Sequence, residues 1–222
     1  MMPGGRLGSA APRFSPLVGA GVGAVGGVVY WSAALIWPAS VAAALALLVM
    51  AWVDPTPNGE EAAVRAPGGV LILTVLLKYT ALMALSAAKL PYAVPPNVAL
   101  GIILISAHAA SRALAVSALA APPQSTAPGV SASDLSIALV LGFTPAVLLG
   151  IPGLVGLGVA LAARMVFGAY IKRRRAQPTA CGADTPSGPA GPAGPAARAG
   201  GSMREAAEIA FYLGALAAWS YI

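Results

Sequence analysis

His108 and Arg112 stand four residues apart, with Ser111 beside them, inside the apolar stretch 98–121. Residues four apart share one helix face. An arginine at the centre of a membrane span costs about 2.5–3.5 kcal/mol on insertion scales. The nine Leu, Ile and Val residues between Val98 and Leu119 return about 0.3–0.6 kcal/mol each. The stretch should therefore insert with its arginine held at nearly full cost, the polar face turned into a helix bundle rather than toward lipid. Lys78 lies near the middle of a second apolar stretch, 68–88, at a depth similar to that of Arg112. No carboxylate lies at the centre of any apolar stretch to neutralise these two. Unpaired cations at membrane depth point to an anionic ligand, and phosphate fits best because guanidinium and ammonium donors recognise its oxygens. Lys78, Arg112 and His108 are thus the expected phosphate-binding residues. The plainer alternatives are that Lys78 snorkels, that Arg112 caps backbone carbonyls, and that His108 is an interhelical hydrogen-bond donor. Acids at the ends of the stretches suit Mg²⁺, which takes one or two carboxylates plus substrate phosphates. Asp54 and Glu208 are better placed for that than Glu60 or Glu61.

These residues need helices to carry them. Apolar stretches cover about 17–37, 39–53, 68–88, 98–121, 134–150, 153–171 and 204–222, so the expected fold is all-α, a single membrane domain of about seven transmembrane helices over 1–222. Stretch 39–53 is short, about 22 Å at 1.5 Å per residue, which calls for thinning or a helix end buried in protein. The basic start followed by stretch 17–37 is too long for a signal peptide and meets Pro38 rather than a cleavage pattern. Gly21, Gly23 and Gly26 match G-x-G-x-x-G, but no βαβ unit surrounds them. Gly19, Gly23 and Gly27 recur every four residues and read instead as the small-residue ridge of close helix packing. Arg164 lies about two turns before the Lys172–Arg175 run and is expected to snorkel toward it. The Gly-, Pro- and Ala-rich stretch 176–203 reads as a flexible loop. Glu205 and Glu208 then fall in the first turn of the last helix, where acids suit the positive end of the dipole.

Composition narrows the function. The chain is 58% hydrophobic and 9% charged, with a mean hydropathy of +0.81, whereas soluble domains carry about 25% charged residues. One His and one Cys exclude the usual zinc sites, and a lone Cys181 excludes an internal disulfide. The net charge of +6 is no nucleic-acid footprint, because four of the thirteen basic residues form one juxtamembrane run. Placing that run in the cytoplasm puts the N-terminus, six stretches earlier and also basic, on the same side.

Several segments resemble the cobalamin synthase family, adenosylcobinamide-GDP ribazoletransferase. Phe14-Ser15-Pro16-Leu17-Val18-Gly19, continuing through Gly23 and Gly27, resembles its first span. Gly69-Val70-Leu71-Ile72-Leu73 through Leu76-Leu77-Lys78-Tyr79 resembles its third, and Ser111-Arg112-Ala113-Leu114-Ala115-Val116 its fourth. The basic run and Glu208-Ile209-Ala210-Phe211-Tyr212-Leu213-Gly214 resemble its C-terminal portion. The resemblance implies a multi-pass enzyme of the bacterial cytoplasmic (inner) membrane at the last step of coenzyme B12 assembly. There a ribose hydroxyl of α-ribazole or its 5′-phosphate attacks the cobinamide-side phosphorus of adenosylcobinamide-GDP and GMP leaves, with Mg²⁺ assisting. Lys78 and Arg112 match family positions and would stabilise charge on the phosphates.

The chain also departs from the family. The long acidic loop with its Asp-Gly-Leu-Ala-Asp core is replaced by AWVDPTPNGEEAAVRAPGG, and the Gly-Asp that follows the family's basic run is missing. Two other readings follow from the same residues. One is an anion transporter, which buried cations would serve and which the Pro-split pairs 17–53 and 134–171 recommend. The other is a catalytically silent scaffold packed against other membrane enzymes of the pathway.

Overall fold

The computed structural model describes residues 12–54, 68–88, 95–119, 130–176 and 195–220. Among them the chain is all-helical: a short 3₁₀ turn, Pro12–Phe14, then α1 Ser15–Ala33, α2 Ala39–Val53, α3 Gly68–Ala87, α4 Pro96–Leu119, α5 Ala132–Leu148, α6 Ile151–Ala176 and α7 Pro195–Ser220. Local sequence sets most of the boundaries. Pro16 occupies the first turn of α1, where a missing N–H is harmless. Pro38 precedes α2 in an extended conformation. The Ser131 hydroxyl caps α5 by accepting from the Asp134 amide at 3.1 Å. Gly150, at φ 71°, turns the chain between α5 and α6, and Pro152 opens α6.

Three helical stretches, Ser15–Ala33, Asn97–Ser117 and Ile151–Tyr170, are long and apolar enough to cross a membrane. Ala39–Val53, Ile72–Ala87 and Ala132–Leu148 are apolar but shorter. Length and composition among the described residues thus mark three crossings, against the seven expected.

α4 is the central helix. In its apolar window 72% of the residues are buried, against 44% in α1 and 28% in α6. It packs against α1, α5 and α7. The contact with α1 is made backbone to backbone along the glycine ridge. A Cβ on Gly23 would lie 2.5 Å from the Leu104 carbonyl oxygen, and one on Gly27 would lie 2.9 Å from the Gly101 Cα. Gly19 meets the His108 carbonyl and the Arg112 side chain just as closely. The ridge therefore does the packing its spacing implies. A second close approach joins α6 to α7, where a Cβ on Gly214 would come 2.8 Å from the Gly156 Cα.

Two expectations fail at the C-terminal end. Helix α7 begins at Pro195, so 195–203, expected as part of a flexible loop, is helical. Residues 177–194, with Cys181, lie outside the described residues, as do Glu60 and Glu61. Glu205 and Glu208 are accordingly more than two turns inside α7, and the helix dipole no longer accounts for them.

Gly23→Val should lower stability by about 3 kcal/mol, because the α1–α4 backbones would have to separate to admit the side chain. Gly21 faces open space. Gly21→Ala should leave the thermal unfolding midpoint unchanged or slightly raised. Comparing the two variants in detergent by circular dichroism checks the ridge.

Candidate functional site

The charged residues at membrane depth converge on one layer between α2, α3, α4 and α7. On α4, His108, Ser111 and Arg112 are 7, 2 and 8% exposed, so their shared face does look into the bundle. The partner they meet is an acid. Glu208 of α7 is 1% exposed. Its Oε2 accepts from Lys78 Nζ at 3.1 Å, and its Oε1 accepts from the Tyr212 hydroxyl at 3.1 Å. His108 Nε2 lies 3.5 Å from the same Oε1. The other imidazole nitrogen, Nδ1, is 3.1 Å from the Leu104 carbonyl and 3.5 Å from the Tyr212 hydroxyl. Ser111 donates to the His108 carbonyl at 3.1 Å.

About one turn toward the Arg204 end of α7, a second cluster forms on Asp54, the residue that ends α2. One carboxylate oxygen pairs with Arg112 Nη2 of α4, and the other with Arg204 Nη2 of α7. Arg204 Nη1 also approaches Asp54 Oδ1 at 3.4 Å. The three side chains are 10–16% exposed. Asp54 thus ties the end of the short helix α2 to the two helices at the core.

The absence of any acid at mid-depth, on which the unpaired-cation expectation rests, is overturned. Lys78 is paired with Glu208 and Arg112 with Asp54. The reason is the longer α7, which carries Glu208 into the bundle interior instead of leaving it at a helix start. The alternatives for Lys78 and Arg112 fail as well: Lys78 does not snorkel, and Arg112 caps an acid rather than carbonyls. His108 does act as an interhelical polar contact, reaching α7. Arg164 reaches toward the same end of the bundle as the Lys172–Arg175 run. Its Nη2 donates to the Ser117 carbonyl at 3.0 Å, satisfying one of the orphan acceptors in the last turn of α4.

Sequence reasoning placed Lys78, His108, Arg112, Asp54 and Glu208, but not Arg204 or Tyr212. Tyr212 follows Glu208 by four residues and so shares its face, a signal that was available once Glu208 was buried. Arg204 gives no such signal, because a basic residue at an expected helix start looks like a solvated end.

Mg²⁺ does not fit Asp54 and Glu208 as they stand. Every oxygen of both carboxylates already has a cationic or hydroxyl partner, and among the described residues no three His, Cys, Asp or Glu side chains gather to hold a metal. The layer nevertheless retains a charge imbalance. Among the described residues, Lys78, Arg112 and Arg204 pair with Asp54 and Glu208, three cations to two carboxylates before His108 is counted. No family model, curated protein or solved structure matches this chain.

Breaking a buried pair strands the surviving charge, which costs about 3–5 kcal/mol. Glu208→Ala should destabilise the protein by that amount, since Lys78 and Tyr212 both lose their acceptor. Lys78→Met combined with Glu208→Leu should recover most of the loss. A double-mutant cycle on unfolding midpoints in detergent measures the coupling.

Proposed function

We propose that this chain is a multi-pass membrane transferase of the cobalamin synthase type, with its N-terminus in the cytoplasm. It would join adenosylcobinamide-GDP to α-ribazole, or to α-ribazole 5′-phosphate, giving adenosylcobalamin or its 5′-phosphate, and GMP. What carries the reading is the excess of cations over carboxylates in the layer formed by Lys78, Arg112, Arg204, Asp54 and Glu208. A buried layer short of negative charge gains by admitting a phosphate. The ordered resemblance of the first, third, fourth and last stretches to that family supplies the substrate.

The chemistry asked of the chain's own residues is electrostatic. The ribose hydroxyl oxygen forms a bond to the cobinamide-side phosphorus, and the bond from that phosphorus to the GMP oxygen breaks. GMP leaves with the electron pair. Arg112 and Arg204 present forked donors suited to a phosphate's oxygens, and Lys78 presents a point charge. For either arginine to turn to the substrate, its hold on Asp54 must be exchanged for the phosphate. Glu208 or His108, which face each other at 3.5 Å, would take up the hydroxyl proton. Mg²⁺ belongs to the reading by resemblance only, and no step here is routed through it.

The same pairing favours a second reading, a catalytically silent member that serves as a scaffold for other membrane enzymes of the pathway. In that case every charge in the layer has a structural partner and none is released. One assay separates the two. Purified protein in vesicles, given adenosylcobinamide-GDP, α-ribazole and Mg²⁺, should form adenosylcobalamin and GMP in equal amounts. Arg112→Lys, which keeps the charge but loses the fork, should lower kcat/KM by about 100-fold. No product from folded wild-type protein would leave the scaffold reading standing.

A further inference from the structure

The two ends of the bundle differ in kind. At one end lie Asp54, Arg112, Arg204 and Asp134, together with Arg13, which pairs with Asp134 at 3.8 Å. At the other end lie the α1–α2 and α5–α6 turns, and among the described residues no charged side chain is found there. These turns are apolar and uncovered: Leu35 is 66% exposed, Ile36 75%, Leu148 80% and Ile151 60%, with Trp31 and Trp37 about half exposed. Much of their backbone is hydrogen-bonded within the turns. The amides of residues 34–37 donate to the carbonyls of Tyr30, Ser32 and Ala33, and those of Leu149 and Gly150 donate to Pro145, Ala146 and Val147. Turns that protrude into water are polar and can leave such amides to solvent. Turns that end inside a membrane must satisfy them internally, as the amides of 34–37, Leu149 and Gly150 are.

The distance between the ends is nearly constant. At about 1.5 Å per residue, Asp54 lies about 24 Å from Pro38 along α2, Arg112 about 23 Å from Asn97 along α4, Asp134 about 24 Å from Gly150 along α5, and Arg204 about 24 Å from Ser220 along α7. An ordinary bilayer has a hydrocarbon core of about 30 Å. Trp52, 87% exposed beside Asp54, and Trp37 at the far end of α2 sit where interfacial aromatics belong. Helix α6 runs past the charged level, and Arg164 on it bonds α4 about 7.5 Å beyond Arg112, at the Ser117 carbonyl. Beyond it Phe167 and Tyr170 lead into the Lys172–Arg175 run, the order expected on entering a headgroup region.

We infer that the bundle is built for a thin or locally thinned bilayer, its hydrocarbon layer about 24 Å deep, with the apolar turns lodged at one interface and the layer containing Asp54, Arg112 and Arg204 at the other. The lipid partner is therefore one of short acyl chains, or one that the protein compresses around itself. Arg112 is then not a mid-membrane arginine. It sits at a boundary that a substrate from water can reach. The inference rests on the membrane placement proposed above and not on transferase activity.

Full-length protein would be reconstituted into phosphatidylcholine vesicles with monounsaturated chains of about 14, 16, 18, 20 or 22 carbons, and thermal unfolding followed. The midpoint should be highest at the two shortest lengths and fall by roughly 5–10 °C toward the longest. A flat profile, or a maximum at the longest chains, would overturn the inference. Brominated lipids give a second readout through the fluorescence lost on Trp52→Phe. Bromines near the headgroup should quench that component most; strongest quenching from bromines near the chain ends would place Trp52 at mid-membrane and sink the idea. Protein that fails to float with the vesicles at any chain length would defeat the membrane placement itself.

Discussion

Glu208 governs the interior of this protein. A carboxylate in a bundle of apolar helices has to find positive partners, because taking a lone charge out of water costs several kcal/mol. Glu208 finds Lys78 on α3, Tyr212 on its own helix and His108 on α4. One turn away Arg204 and Arg112 converge on Asp54. Both clusters include a residue of α7, so its register decides whether Lys78 and Arg204 meet their acids. Sliding α7 by a single turn would set Arg204 against Lys78 in one direction, or Glu208 against Asp54 in the other. The polar layer thus selects one arrangement from the many that apolar helices would otherwise accept equally.

That selection needs the helices to come close, and the small residues allow it. Glycine at 19, 23 and 27 lets α1 lie directly on the α4 backbone, and Gly156 with Gly214 does the same for α6 and α7. Where apolar side chains gain little by leaving lipid for protein, tight van der Waals contact replaces the hydrophobic drive. The core is correspondingly built from alanines: Ala42, Ala43, Ala46, Ala107, Ala109, Ala110 and Ala113 are all fully buried. Leu82, Leu100, Ile103, Leu104, Leu114 and Phe211 fill the space between them, while Leu48, Trp52, Val140, Met165 and Val166 point outward. The outer surface is thus apolar as well as the core.

Charge pairing and function pull on the same residues. Paired, the five charged side chains hold four helices in place. A phosphate entering the layer would compete with Asp54 for Arg112 and Arg204, exchanging one anion for another without exposing a bare charge. In the proposed function, the third cation among the described residues would favour that exchange. Stability of the resting protein and affinity for an anion are then set by the same pairs, and one gains at the expense of the other.

Several features were legible in the chain itself. Apolar stretches bounded by Pro38, Pro152 and Gly150 fix where helices start and stop, since backbone geometry at these residues is local. Four-residue glycine spacing marks a packing ridge, and the shared face of His108 and Arg112 follows from the helical repeat. The pairing of charges was not legible. It depends on where α7 begins, and the Gly-, Pro- and Ala-rich composition around Pro195 reads as a loop although nine residues of helix precede Arg204. Moving that start converts Glu208 from a helix-end acid into a buried counter-ion. Only the tertiary arrangement brings residues 78 and 208, or 54 and 204, within bonding distance, because such contacts join positions far apart in the chain that no local pattern relates.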